Sequence, residues 1–408
     1  MYLARDLAIN GGRPVTMQAP PPWPYFEDDE IDAVSRVLRS GRVNYWTGTE
    51  TVAFEEQFAE YLGTGRAIAL ANGTVSLELA LHALGIGPGD DVIVTPRTFI
   101  ASASCVVMNG ARPVFADIDR TSGNLTAATI EAALTPATKA VIVVHLGGWP
   151  CEMDAIMALA AEHDLVVIED CAQSLGGTHN GRMLGTIGHA GSFSFCQDKI
   201  MTTGGEGGML AVNDGALFER AWSYKDHGKS YRLARGSAPA GDTSFRWLHE
   251  SFGTNWRMTE MQAAIGRIAL IKVPGWVERR RGFARLLDAC VAGLPGLRLT
   301  VPGPHEGHAY YKYYTYAIPE ALAPGWDRDR IARAVQAEGI PCFSGSCPEI
   351  YREKAFENAG LAPAERLPVA RELGETSLML LVHPTLSEHN IEMACEALTK
   401  VMTVAAES

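Results

Sequence analysis

Along the first half of the chain, short runs of consecutive apolar residues alternate with longer stretches in which apolar positions return every three or four residues. The short runs fall at 67–70, 91–95, 114–117, 140–145 and 165–169, and the helical patterns between them at 76–84, 99–108, 129–134 and 154–163. A period near 3.6 marks a helix with one buried face, whereas a short unbroken apolar run suits a strand covered on both faces. Alternation of the two predicts an α/β architecture, a mainly parallel sheet between layers of helices, because parallel strands need crossovers. Upstream, Ile31, Val34, Val37 and Leu38 recur at helical spacing after an acidic first turn, and Ser40-Gly41 ends that helix. Another helix is expected over 52–62. Residues 1–26 carry too much Gly and Pro for regular structure and read as an arm lying across the body. Near Pro274 the pattern turns to long helices and shorter strands. We therefore expect a large domain over 27–271 and a smaller α+β domain over 272–408. The small polar stretch 237–244 is expected as a loop.

Composition narrows the function classes. A chain of 408 residues, 47% hydrophobic and 20% charged, suits a globular protein of two domains. Its net charge of −12 argues against nucleic acid and anionic membrane as partners. The first residues lack the apolar core of a signal peptide, and no run approaches the roughly 18 apolar residues of a membrane span, so a cytoplasmic protein is expected. The eight cysteines form no CxxC pair and no metal-like spacing with His. No metal is expected.

Ligands of parallel sheets bind outside the carboxyl ends of the strands, so chemistry is sought just after each apolar run. After the first stands Asn72-Gly73-Thr74, opening a helix whose amides and positive dipole end suit a phosphate. After the second, Phe99 offers an aromatic face. After the fifth comes Glu169-Asp170-Cys171-Ala172-Gln173, which puts a carboxylate at a strand end. Further on, the β-prone run 192–196, which includes Ser194, leads to Lys199 and then to Thr202-Thr203-Gly204-Gly205-Glu206-Gly207-Gly208. A lysine on such a loop is held rigidly where it can meet a carbonyl. Each element alone has an ordinary structural reading. Together, in this order, anchor, ring-nitrogen partner and amine describe pyridoxal 5′-phosphate. Substrate contacts are sought at Tyr45 and Trp46, in the loop before 52–62, and in the basic run Lys225, His227 and Lys229. Residues 308–316 alternate as a strand would, with His308, Tyr310, Lys312, Tyr314 and Tyr316 on one side.

The segments ANGTVSLELALHALGIGPGDDVIVTPRTFIASA, GARPVFADID, TKAVIVVHLGGWPCEMDAI, VVIEDCAQSLGG, GSFSFCQDKIMTTGGEGGM and GTNWRMTEMQAAIG resemble the DegT/StrS family of pyridoxal-phosphate sugar aminotransferases. The resemblance covers most of 27–400. It implies the type I fold of pyridoxal-phosphate transferases, with Lys199 as Schiff-base lysine and proton shuttle and Asp170 as partner of the pyridinium nitrogen. It further implies Gln173 near the phenolic oxygen, Phe99 stacked on the ring, and Gly73, Thr74 and Ser194 on the phosphate. Asn255 resembles the asparagine that reaches the phosphate in the neighbouring subunit, which implies a homodimer with shared active sites. Retention of Lys199, where some members carry His and act as dehydratases, implies a transaminase that takes its amino group from glutamate. The extra glycine in Thr203-Gly204-Gly205-Glu206 departs from the commoner form.

The segments SYKDHG, FRWLHESFGTNWRM and SGSCPEIYREKAF look most like enzymes that aminate C4 of a UDP-linked 4-keto-6-deoxy-N-acetylhexosamine for bacterial glycans such as lipopolysaccharide. Residues 7–12, LAINGG, resemble members acting on cyclitols. A non-catalytic sensor or scaffold built on the same fold is the reading from another class.

Overall fold

The computed structural model describes residues 2–236 and 245–406. The loop expected at 237–244 lies outside them. The five apolar runs form β1 (Arg66–Leu70), β2 (Asp91–Val94), β3 (Arg112–Phe115), β4 (Thr138–Val144) and β5 (Val166–Asp170). Two short strands, β6 (Thr178–His179) and β7 (Arg182–Met183), precede β8 (Ala190–Ser194) and β9 (Gly208–Val212). The main sheet has the order β1-β9-β8-β5-β4-β2-β3. Only β9 runs against the others.

The unbroken apolar character of these strands follows from burial on both sides. Val92, Val94, Ala140 and Ile142 join Leu77, Leu81 and Val106 on one face. Their neighbours Ile93, Val141 and Val143 join Ile156 and Leu159 on the other. The expected strand at 114–117 lies at 112–115 instead, with Pro113 tolerated because β3 is an edge strand.

The second half adds β10 (Leu297–Arg298), β11 (Glu306–Gly307), β12 (Tyr313–Ala317), β13 (Cys342–Phe343) and β14 (Ser377–Leu380). β10-β12-β14-β13 form an antiparallel sheet, while β11 pairs with β6. Helices Arg328–Ala337 and Glu388–Ala405 cover that sheet through Ile331, Val335, Leu398 and Val401.

The expected change of domain at 272 falls inside one helix, Glu260–Val291, which carries Pro274. Its first half packs Ala263, Leu270 and Val273 with the main sheet, and its last turns pack Phe283, Leu287 and Val291 with the small one. The alternation expected over 308–316 also breaks. β12 begins only at Tyr313, because Tyr310 takes a left-handed conformation with φ 48° that interrupts the pleat.

Within residues 2–26, short 3-10 turns at Ala4–Asp6 and Ala8–Asn10 precede the prolines. Leu7 is buried in the small domain's core, and the buried Glu338 carboxylate accepts the amides of Ala8 (2.8 Å) and Val15 (3.1 Å). Lys400 Nζ donates to that carboxylate and to the Arg13 carbonyl, each at 2.7 Å. The arm ends at the functional site, where the Trp23 indole donates to the Lys199 carbonyl at 2.9 Å. Among the described residues, no helix is long and apolar enough to cross a membrane.

Candidate functional site

A cleft of about 1060 Å³ opens at the carboxyl ends of the parallel strands, and Tyr311, Lys312, Tyr314, Phe343 and Ser346 from the last hundred residues of the chain form its opposite wall. Helix Gly73–Ala83 starts there, its Val75 amide capped by Asn72 Oδ1 at 3.0 Å. A Cβ on Gly73 would stand 2.6 Å from Ser194 Cβ, so helix start and end of β8 meet only because residue 73 has no side chain.

Asp170 ends β5 and is 5% exposed. Ser102 Oγ donates to its Oδ2 at 2.8 Å and the Ala172 amide to its Oδ1 at 3.1 Å; Thr98 Oγ1 in turn lies 2.9 Å from Ser102 Oγ. Burial pushes the Asp170 carboxyl above its ordinary range, against the pull of Ser102, Ala172, Lys199 and His145. The next residue back, Glu169, points to the other face, as strand alternation requires. It accepts the amides of Gly185, Ile187 and Gly188. His145 Nδ1 accepts the Cys151 amide at 3.0 Å, so Nε2 carries the proton toward Glu169 Oε2 at 3.1 Å. This buried pair sits at the base of the turn 145–148, whose Gly147 amide donates to Gln173 Oε1 at 2.7 Å. Gln173 therefore turns its NH₂ end away from that amide, in a side chain that lines the cleft.

Lys199 stands on the turn after β8, with its amide bonded to the Cys196 carbonyl at 3.1 Å. Its Nζ lies 3.8 Å from Asp198 Oδ1 and 5.1 Å from the centre of the Tyr311 ring. The Tyr311 hydroxyl donates to Asp198 Oδ2. Burial would raise the Asp198 carboxyl, but Lys199, Tyr311 and Lys312 outweigh it and hold the group below its ordinary range. The extra glycine of the following loop is absorbed by two left-handed residues, Gly204 (φ 86°) and Gly205 (φ 114°). Thr202 Oγ1 pins that turn by accepting the Gly205 amide at 3.1 Å. Phe99, 66% exposed, lies at the cleft with an open ring face.

Gly73, Thr74, Phe99, Asp170, Gln173, Ser194 and Lys199 thus line one cleft. Sequence reasoning missed Ser102, Asp198, Tyr311, Lys312 and Trp23 as site residues. Ser102 was within reach, three residues after Phe99 at the start of a helix, and Asp198 is next to Lys199; the remaining three arrive through the small domain and the arm.

The other predicted residues stand apart from this chain's cleft. Tyr45 is an interior side chain whose hydroxyl accepts from the Trp222 indole (3.0 Å) and from Arg235 (2.6 Å). Lys225 is fully buried, 4.1 Å from the Tyr45 ring and 3.7 Å from Glu55. Burial depresses its amine, opposed by Glu55 and Asp226. Both readings as substrate contacts are corrected: helical periodicity shows that a residue is on a helix, but not that an aromatic loop folds over its polar end. Lys229 is paired with Asp226 at 2.9 Å and rests 4.3 Å from the ring of Trp46. His227 and Asn255 are exposed beside that group, linked through the ladder pair Asp226–Asn255.

The donor set of the cleft fits pyridoxal 5′-phosphate: a side-chain-free helix start for phosphate, a buried carboxylate for a protonated ring nitrogen, and an amine for the aldehyde. Over residues 24–399 the chain matches the model of the DegT/DnrJ/EryC1/StrS aminotransferase family. It is 38% identical over 380 residues to GDP-perosamine synthase of Caulobacter vibrioides, covering 93% of this chain and 97% of that one. It is 36% identical over 419 residues to L-glutamine:2-deoxy-scyllo-inosose aminotransferase of Streptomyces kanamyceticus, covering 97% and 96%. Among solved structures, an aminotransferase from Psychrobacter cryohalolentis superposes with a TM-score of 0.91 at 54% identity, covering 94% of this chain and 99% of that one.

Proposed function

The chain belongs to the DegT/DnrJ/EryC1/StrS aminotransferase family, and from that premise we propose that it transfers the amino group of glutamate to C4 of a UDP-linked 4-keto-6-deoxy-N-acetylhexosamine for bacterial glycan synthesis. Sugar amination and the pyridoxal 5′-phosphate cofactor come with the family. The choice of sugar rests on the segments at 223–228, 245–258 and 344–356. The single observation that carries a catalytic reading is the cleft itself, in which Lys199, Asp170, Gln173 and Ser194 converge. A sensor or scaffold has no use for an amine placed there.

When bound, the cofactor supplies an aldehyde that takes up the amino group and a ring that accepts the electron pair left on carbon. Lys199 Nζ would hold the cofactor at its aldehyde carbon and is the amine in the cleft that would give and take a proton there. Asp170 keeps the ring nitrogen protonated, and Ser102 and Ala172 hold that carboxylate in place. Gly73, Thr74 and Ser194 would hold the phosphate, Phe99 would lie against the ring and Gln173 would offer its NH₂ group to the phenolic oxygen. Asn255, exposed in one chain, reaches the phosphate in the second subunit of a homodimer, and Trp46, His227 and Lys229 approach the second subunit's substrate from the same side.

A visible absorbance band of the purified protein that glutamate bleaches and the UDP-linked keto sugar restores supports the whole reading. A band restored only by a keto cyclitol moves the enzyme to the second reading, which the scyllo-inosose relative and residues 7–12 favour. If no cofactor band forms even on reconstitution, the scaffold reading takes first place.

Two further outcomes are expected. Gly73→Ala forces the 2.6 Å clash with Ser194, costing about 1–3 kcal/mol of cofactor binding; fluorescence titration of apoprotein with pyridoxal phosphate reads it, and unchanged affinity discards the cradle. Mixing inactive Lys199→Ala and Asn255→Ala proteins and letting subunits exchange restores part of the activity, since one of the two mixed sites is then intact. No recovery in verified mixed dimers removes Asn255 from the shared site.

A further inference from the structure

Lys312 is the second amine in the cleft, and it reaches the site because the chain there is not a regular strand. The left-handed Tyr310 lets the adjacent residues Tyr311 and Lys312 both line the cleft instead of alternating. Their backbone is held from behind by the buried Arg280, whose Nη1 donates to the carbonyls of Tyr310 (3.3 Å) and Tyr311 (3.1 Å). The Lys312 Nζ lies 4.7 Å from the centre of the Tyr311 ring, the same ring that Lys199 Nζ approaches at 5.1 Å. Tyr311 is therefore a shared platform for two amines.

The two amines differ in what neutralises them. Asp198 is taken by the Tyr311 hydroxyl and by Lys199. Among the described residues, no hydrogen bond or ion pair engages Lys312 Nζ. Burial lowers this amine to about 8, with Arg280 and Lys199 pushing the same way and Asp198 opposing. At neutral pH it still carries its proton, and a half-buried cation without a partner is costly until an anion arrives. The charged side chains lining the cleft are Asp170, Asp198, Glu206, Lys199 and Lys312. With Lys199 committed to the cofactor, Lys312 is the remaining cation among the described lining residues, and the three acids repel any incoming carboxylate elsewhere.

We propose that Lys312 binds the α-carboxylate of the amino donor. The assignment rests on the transaminase reading above. In an amino acid the carboxylate and the amine share one carbon, so a donor that brings its nitrogen to the position of Lys199 Nζ carries its carboxylate within one side-chain contact of the same place. Lys312, a second amine against the same Tyr311 ring, is the cation of the cleft available for that contact. The two half-reactions must use the same cleft for an anionic amino acid and for a sugar ring without a carboxylate. A lysine serves the donor half-reaction, since its three rotatable donors pair with a carboxylate, and the sugar half-reaction needs no contact from it. The diphosphate of a nucleotide sugar is a second anion that this amine is able to meet, and the half-reactions tell the two apart.

The test follows each half-reaction of the holoenzyme separately by stopped-flow absorbance. Lys312→Met is expected to lower the apparent second-order rate constant with glutamate by about 100-fold, through weaker donor binding, while the half-reaction with the keto sugar changes by less than about threefold. Lys312→Arg, which keeps the charge, is expected to recover most of the donor rate. Glutarate, which has no amine to transfer, reads the same site without turnover: its calorimetric binding to holoenzyme is expected to fall by a similar factor in Lys312→Met and to persist in Lys312→Arg. Should Lys312→Met fold poorly, Lys312→Gln takes its place in both measurements. An unchanged donor half-reaction, or a loss as large or larger in the sugar half-reaction, overturns the proposal; the latter result assigns the amine to the diphosphate. If the unsubstituted enzyme reacts with no donor, the transaminase reading fails first, and the glutarate titration still decides whether Lys312 holds a carboxylate.

Discussion

Lys199→Ala is expected to lower turnover by about 10⁴-fold, the upper range for removal of a group that moves a proton in the reacting complex, while the protein stays folded and still takes up the cofactor. The expectation comes from how little else the side chain does. Its Nζ makes one long ion pair, 3.8 Å from Asp198, and a distant contact with the Tyr311 ring. The loop is instead held by backbone, through the Lys199 amide to Cys196, the Trp23 indole to the Lys199 carbonyl, and Thr202. None of these is lost with the amine. Removing the weak ion pair costs no more than about 1 kcal/mol of stability. The helix start at Gly73, the Ser194 hydroxyl and Asp170 remain to hold the cofactor without a covalent bond. Rapid-quench analysis of the product amine, with thermal unfolding of the same sample, separates chemistry from folding. Activity within about a hundredfold of the parent excludes Lys199 as the proton shuttle.

Asp170→Asn is expected to lower turnover by about 10³-fold without loss of stability in the apoprotein. An asparagine keeps the shape and one acceptor, so the contacts from Ser102 and Ala172 are retained in part. What it loses is the charge that keeps a ring nitrogen protonated. The sign of the stability effect follows from burial. A carboxyl whose folded pKa is raised is destabilising once the pH exceeds that of the unfolded chain, because the folded site then holds a charge it disfavours. Replacing it by a neutral amide removes that penalty at neutral pH, so apoprotein melting is unchanged or higher while the reaction slows. A variant that melts early and also loses activity points to a structural carboxylate, and one that keeps activity within tenfold removes Asp170 from the ring nitrogen.

These two residues were legible in the sequence for a common reason. Asp170 ends an apolar run and Lys199 follows another, and a parallel sheet brings the ends of its strands to one edge. Gly73, Thr74 and Ser194 follow by the same rule, since each lies within four residues of a strand end. Ser102 was missed because a serine at the start of a helix has an ordinary reading until the carboxylate it serves is placed beside it. Lys225 misled for the converse reason: its charge suggested exposure, but the side chain is buried against Glu55, a position that sequence spacing does not relate to it.

The sequence by itself determined the layered α/β body, the order of its strands and helices, and the set of residues at the strand ends. Those features arise from local periodicity, from glycines at forced backbone positions and from crossovers that span few residues. Only the tertiary structure decided the opposite wall of the cleft. Tyr311 and Lys312 lie more than a hundred residues from Lys199 and enter the site because Tyr310 breaks the pleat and Arg280 fixes the carbonyls that follow. The arm likewise meets Lys199 only through Trp23, after anchoring on Glu338 and Lys400 in the last third of the chain. One helix running through 272 joins the two cores, because Pro274 is accommodated within a helix packed on both sheets. Contacts of this range depend on how whole faces pack, which no short window of sequence encodes.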